Sequence, residues 1–368
     1  AYDTLNRLST KAPASEPTVT YAYDLKGQLI GAGDNGAAII SPVPPVGSLV
    51  VSAAYDALNR PLAFSWSPAV APATAPTASS SAFTFAYNRA NQRISQMATD
   101  NSWWSYPTAT ASTIAYTANS LDQYTAVGSV TPTYDGNGDL TYDGTFTYGY
   151  DAENRLISAS QGGSIVATYA YDAQGNRKSK TVGSMATVTL IGTDKRAILD
   201  YDGTSGQLQR WYAFGAGPND VLSQMNLAAG TRATFIPDIQ GSVLASLDSG
   251  TGALTKAGYQ PFGESSSTAG TFRYTGARID AETDGLHDFR ARMYSPSLGR
   301  FLQADPTGTT GGFNLYAYVG NDPLDRLDPL GTASVNSNGT ITRYPSQLPP
   351  QRSDMAAVPG RRDHDLAD

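Results

Sequence analysis

A tyrosine and an aspartate, followed by two or three turn-forming residues, recur eight times between Tyr2 and Tyr201, once with Asn88 in place of the acid. The copies read YDTLNRL, YDLKGQLI, YDALNRPL, YNRANQRI, YDGNGDL, YDAENRLI, YDAQGNRK and YDGTSGQL, starting at Tyr2, Tyr23, Tyr55, Tyr87, Tyr134, Tyr150, Tyr171 and Tyr201. Most obey one grammar: alternating aromatic or small residues, Tyr-Asp, the turn formers, then Arg or Gln and an apolar run, as in TFTYGYDAENRLISAS from Thr145 to Ser160. That is strand, short turn, strand, a hairpin per repeat with Asn and Gly supplying the turn. The Tyr ring is expected to pack on the neighbouring hairpin, and the Asp to cap the turn by accepting backbone N–H bonds. Successive copies lie 21, 32, 32, 47, 16, 21 and 30 residues apart, so the repeats carry insertions. SPVPPVGS (Ser41 to Ser48) and SPAVAPATAPTASS (Ser67 to Ser80) read as such, in surface loops.

Composition agrees with an all-β chain and narrows its chemistry. Charged residues make up 15%, while 36 Gly, 22 Pro and 22 Tyr favour turns and aromatic strands over helices. Without cysteine there is no disulfide, thiolate metal site or cysteine nucleophile. With only His287 and His364, a histidine metal site or a Ser-His-Asp triad is not expected, and the chain carries no sign of a cofactor. A net charge of −7 and an isoelectric point near 4.9 argue against nucleic acid or an anionic membrane as partner. No run is long and apolar enough to span a bilayer, and AYDTLNRLST has neither part of a signal peptide. The chain starts within a repeat, as a fragment or processed piece would.

From about Phe235 the grammar changes, to FIPDIQGSVLASLDSGTGAL, YQPFGES and FRYTGARIDAETDGLHDFRARMYSPSLGRFLQADP. Near the end come two related pentapeptides, DPTGT at Asp305 and DPLGT at Asp328, with eighteen residues between them. Each alone is an ordinary turn: Asp bonds its own backbone, Pro presets φ and Gly tolerates positive φ.

The Tyr-Asp grammar over residues 1–210 resembles the Rhs or YD-repeat proteins, among them the cocoon-forming subunits of bacterial toxin complexes and, more distantly, the teneurins. Residues 211–332 are similar throughout to the Rhs-associated core region, most specifically along RIDAETDGLHDFRARMYSPSLGRF. The resemblance implies a spiralling antiparallel sheet closing as a hollow shell, with an inward-folded C-terminal plug. It also implies a self-cleaving aspartyl protease in that plug, with two Asp-Pro-x-Gly-Leu motifs eighteen residues apart and the cut directly after the second. Asp305 and Asp328 match its two aspartates, Arg292 its arginine, and Thr332-Ala333 its cleaved bond. Two departures stand out. Thr309 and Thr332 replace the leucines, and Phe235 to Asp238 lacks the histidine that family members often carry before this aspartate. Losing most of a buried leucine's contact costs roughly 1 to 2 kcal/mol of positioning energy.

Paired carboxylates suit such chemistry, because two brought together do not readily both ionise: one takes up a proton and serves as acid, the other as base activates water. A nearby arginine can hold one ionised or stabilise the developing oxyanion. The enzyme would turn over once, on itself. Of the neighbours, Asp322-Pro323 reads as a turn, His287 as a strand or loop residue and Arg300 as the structural partner of a plug carboxylate. The alternating GGFNLYAYVGN reads as a strand with Phe313, Tyr316 and Tyr318 in the core. Residues 333–368 are polar, too short for most toxin domains and expected to be disordered.

The leading expectation is therefore a shell and plug segment that encloses or presents a C-terminal toxin or other cargo, with further repeats or a second shell-forming subunit completing the enclosure. It would be secreted or carried to the cell surface by a specialised route. The alternative is a non-catalytic surface or adhesive protein that binds carbohydrate or a partner protein, in which the aspartates are turn residues.

Overall fold

The computed structural model describes residues 2, 9–11, 19–23, 29–33, 49–58, 60–68, 81–100, 113–215, 217, 219–248, 251, 253–267, 270–310, 312–332 and 335–336. The expected loop at 41–48, residues 69–80 of the one expected at 67–80, and the tail apart from Val335–Asn336 lie outside the described residues; Ser67 and Pro68, read as loop, end the strand Pro61–Pro68 instead.

Each repeat folds as its turn chemistry dictates. In the fourth-from-last copy, one oxygen of Asp135 accepts the backbone N–H groups of Asn137 and Asp139, both at 2.9 Å. Asp151 repeats this with Glu153 and Arg155, Asp172 with Gln174 and Asn176, and Asn88 with Ala90 and Gln92. The third residue after the acid must then adopt positive φ, which selects Asn154 (62°), Gly175 (77°) or Gly138 (90°). The register shifts by one residue at the tyrosine, as where Tyr150 pairs with Leu156, so the turn closes in a bulge that adds twist. In the copies at Asp56 and Asp151 the second carboxylate oxygen takes the guanidinium of Arg60 (2.6 Å) and Arg155 (2.7 Å), four residues on.

Hairpins are tied to one another by the tyrosines. The Tyr150 hydroxyl donates to the Leu140 carbonyl at 2.7 Å, Tyr171 to Leu156 at 2.8 Å and Tyr87 to Pro61 at 2.8 Å, always to the fifth residue after the preceding repeat's acid. Arg155 and Arg60 lie over the rings of Tyr171 and Tyr87, at 4.9 and 4.8 Å from the centroids. The result is two antiparallel sheets whose strands follow chain order. One has seven strands, from Thr10–Lys11 to Arg93–Ala98, and the other thirteen, from Thr133–Tyr134 to Leu254–Lys256. Among the described residues strand makes up 49% and helix 4%, an all-β fold. The larger sheet passes through residues 210 and 211 without a break, because hairpins beyond Trp211 keep the turn after losing the Tyr-Asp spelling: Asp238 still accepts Gln240 and Ser242 N–H.

After Lys256 the chain turns inward. Four short strands, Arg278–Asp280, Leu286–Asp288, Met293–Ser295 and Arg300–Phe301, form a separate sheet. Phe289, Tyr294, Phe301, Tyr318 and Tyr274 make one ring cluster, with Tyr294 and Tyr318 centroids 4.7 Å apart. Phe83 and Phe85 of the seven-stranded sheet and Leu244 and Leu247 of the larger one join that cluster, while Leu286, Met293 and Leu302 pack on Leu140, Leu156 and Tyr169. Burying each such ring or aliphatic group contributes about 1.5–3 kcal/mol, so the plug and sheets stabilise one another.

Several expectations for this region need correcting. GGFNLYAYVGN is not a strand among its described residues: Asn314 captures the N–H groups of Tyr316 and Ala317, both at 3.0 Å, and Val319 and Gly320 take positive φ. A side chain that bonds its own backbone competes with a ladder. Tyr316 and Tyr318 are buried as expected, but Phe313 is 94% exposed. Among the described residues Arg300 pairs with no plug carboxylate; it donates to the Asp122 carbonyl at 2.7 Å and lies 3.5 Å from the centre of the Tyr124 ring.

Candidate active site

The two Asp-Pro-x-Gly segments use the same turn as the Tyr-Asp repeats. Asp305 Oδ1 accepts the Thr307 N–H at 2.8 Å and its hydroxyl at 2.6 Å, with Gly308 at φ 63°. Asp328 Oδ1 accepts the Thr332 N–H at 3.0 Å, with Gly331 at φ 70°. One difference matters chemically. Where Asp56 and Asp151 find an arginine four residues on, Asp305 and Asp328 find Thr309 and Thr332, so the second carboxylate oxygen is left for a partner from elsewhere.

That partner is Arg292. Its Nη2 lies 2.9 Å from Asp305 Oδ2 and 3.5 Å from Asp328 Oδ2, and all three side chains are less than a tenth exposed. Arg292 Nη1 donates to the Leu315 carbonyl at 2.9 Å, and the same carbonyl accepts the Asp305 N–H at 3.0 Å. The face of the guanidinium rests on Phe301, 3.7 Å from its centroid. Burial lowers the pKa of Arg292, against the opposing charges of Asp305 and Asp328, yet a guanidinium stays protonated in any protein setting. Burial, and then the charge of Asp328, raise the Tyr318 hydroxyl above its ordinary value.

The turn carrying Arg292 also holds the chain next to Thr332. Three consecutive carbonyls meet three consecutive residues: Arg290 Nη1 donates to Pro329, the Ala291 N–H to Leu330 at 3.2 Å, and Arg292 Nε to Gly331 at 2.6 Å. A Cβ on Gly331 would stand 2.6 Å from the Phe289 carbonyl oxygen, so only glycine allows this approach. Arg326–Leu327 pairs with Val335–Asn336, which puts the whole DPLGT segment in the loop of a two-stranded ribbon.

Of the residues singled out by sequence, Arg292, Asp305, Asp328 and Thr332 come together; Ala333 lies outside the described residues. Asp322 is a turn residue as read, 3.4 Å from Arg326, and His287 is buried in the strand Leu286–Asp288 beside the Tyr274 ring. Sequence reading missed Arg290, Phe301 and the Leu315 carbonyl. The alternation Arg290-Ala291-Arg292 was the one signal, and it does not say which carbonyls the two arginines reach. Among the described residues no group of His, Cys, Asp or Glu could hold a metal ion, and no helix is long and apolar enough to cross a membrane.

The family model for the teneurin YD-shell matches residues 74–324. This chain belongs to the teneurin YD-shell family. The match takes in Arg292 and Asp305 and stops short of Asp328. Among relatives, the tRNA3(Ser)-specific nuclease WapA of Bacillus spizizenii is 32% identical over 232 residues, 60% of this chain and 10% of that protein. Toxin subunit YenC2 of Yersinia entomophaga is 47% identical over 66 residues, 18% of this chain and 7% of that one. The chain thus spans about a tenth or less of these relatives' length. A crystal structure of TcdB2-TccC3-TEV matches with a TM-score of 0.50 at 19% identity, over 90% of this YD-shell chain and 18% of its own. At that identity the likeness is one of fold: the YD-shell of toxin complexes, with large antiparallel sheets.

Proposed function

We propose that this YD-shell segment encloses or presents a C-terminal cargo and releases it by aspartyl self-cleavage after Thr332. The observation that carries the reading is the convergence of Arg292 with Asp305 and Asp328 on a chain whose Pro329, Leu330 and Gly331 carbonyls are already clamped. Because the clamp holds backbone, threonine in place of leucine before the cut does not abolish positioning. Such fixing turns a bimolecular hydrolysis into a reaction within one molecule.

In this proposal Asp305, the closer partner of Arg292, takes a proton from water, whose oxygen attacks the Thr332 carbonyl carbon. Arg292 steadies the negative charge that develops. Asp328 carries the exchangeable proton and gives it to the Ala333 nitrogen as the C–N bond breaks, leaving a carboxylate on Thr332 and a free amine on Ala333. The cargo would be a toxin, as the nuclease and toxin-subunit names of the relatives suggest, with further repeats or a second subunit completing the shell and a specialised export route delivering it outside the cell.

A second reading has its own support: in both motifs Oδ1 caps a turn just as in the structural repeats. The aspartates would then be structural, and the intact chain would bind carbohydrate or a protein. Intact-mass spectrometry of the purified chain beside Asp305→Asn and Asp328→Asn separates the two. Self-cleavage predicts loss of residues 333–368 from the wild type alone; whole chains in all three samples would leave the structural reading standing.

A further inference from the structure

Between the inner face of the thirteen-stranded sheet and the plug lies a cavity of about 240 Å³. In a chain whose net charge is −7, its walls carry seven cationic side chains and three carboxylates. The carboxylates are already engaged. Asp200 takes both ends of Arg278 at 3.1 and 2.9 Å as well as the Thr189 hydroxyl at 2.8 Å. Asp288 takes Arg177 at 3.0 Å and Glu282 takes Lys180 at 3.0 Å, and the buried Asp280 just behind the wall takes both Arg177 (2.5 Å) and Lys180 (3.0 Å), so with Asp194 the seven cations face five carboxylates. Of the other four cations on the same walls, Arg290 already donates to the Lys195 and Pro329 carbonyls and to Asn219 Oδ1, whereas Lys195 and Arg210 meet no carboxylate nearer than 3.9 Å among the described residues. Arg196 is paired with Asp194, which is not one of the lining residues.

We propose that this cavity binds a small oligoanion through its phosphate or carboxylate groups. Cations gathered in a cleft with protein walls focus a positive field that the overall negative charge does not cancel at short range. Lining hydroxyls such as Ser179 and Thr187 add neutral hydrogen-bonding groups. The volume is below the 300–1,000 Å³ or so of drug-sized sites, which restricts the occupant to a compact ion. The site is also joined to the DPLGT loop, since Arg290 lines it and holds the Pro329 carbonyl. Binding does not depend on self-cleavage and stands or falls apart from it.

The test is isothermal titration calorimetry on the full chain with pyrophosphate and, separately, citrate, at low and at physiological salt. The comparison is the double variant Lys195→Gln/Arg210→Gln, whose two residues hold no carboxylate closer than 3.9 Å among the described residues. Unchanged circular dichroism and melting show that the variant is folded. Saturable one-to-one binding that weakens tenfold or more in the folded variant is the expected result, and the tighter of the two probes tells phosphate from carboxylate. Absence of saturable binding to wild type, or equal binding to both proteins, overturns the proposal. Should the double variant unfold, the single variant Lys195→Gln decides, with at least a threefold loss expected and no change overturning the site.

Discussion

Arg292 Nη2 lies 2.9 Å from Asp305 Oδ2 across a gap that no local element spans, one residue sitting in the turn after Leu286–Asp288 and the other at the head of its own Asx turn. Because Asp328 shares the same nitrogen, the three form a buried triad with one positive and two negative charges when both acids are ionised. Removing the cation leaves the two acids facing each other with no positive charge between them, in a site where each is less than a tenth exposed. Arg292→Met should therefore cost about 3–5 kcal/mol at pH 7 by chemical denaturation. Arg292→Lys should recover part of the stability but none of the proposed self-cleavage, since one ammonium cannot also hold the Gly331 and Leu315 carbonyls. Equal losses for both variants would deny the charge a role.

Asp139 occupies the position where other repeats place Arg60, Arg155 or Asn176, four residues after the turn acid. It is fully buried. Burial first, and then the charge of Asp135, push its carboxyl up to about 7, against a backbone hydrogen bond from Ala304. A folded pKa above the unfolded value means stability is full below about 4 and is lost as pH rises through 7. Asp139→Asn should accordingly stabilise the protein by about 1–3 kcal/mol at pH 8, with the gain shrinking toward pH 4. Denaturation midpoints across that range check it; a loss at pH 8 would contradict the assignment.

His287 behaves in the opposite sense. Burial in the plug lowers its pKa from 6.5 to about 4, so the unfolded chain binds a proton over a range in which the folded chain does not. Stability contributed this way is complete above 6.5, falls as the medium is acidified, and levels off below about 4, with a slope of at most about 1.4 kcal/mol per pH unit. In His287→Gln that slope should vanish between pH 6.5 and 4. Parallel pH profiles for variant and wild type would place the titration elsewhere.

Local chemistry made much of this molecule readable in one dimension. Tyr-Asp and the turn formers are all decided within about six positions, so hairpin and capping followed from residue types alone, while the bulge at the tyrosine emerged only in the strand register. The same holds for Asp305 and Asp328 as turn residues. Where the pattern misled, a local competitor had won: Asn314 took two N–H groups that a strand in GGFNLYAYVGN would have needed.

The sequence by itself determined a β protein of repeated hairpins and the identity of two acids and an arginine worth bringing together. Only the tertiary structure decided that Asp305 and Asp328 lend their second oxygens to one guanidinium, that Arg290 and Arg292 grip the chain before Thr332, and that seven cations line one cavity. The physical reason is range. A turn is closed by neighbours in the chain, whereas a charge buried beside residues 13 and 36 positions away is set by how the plug packs against two sheets, which no short window of residues contains.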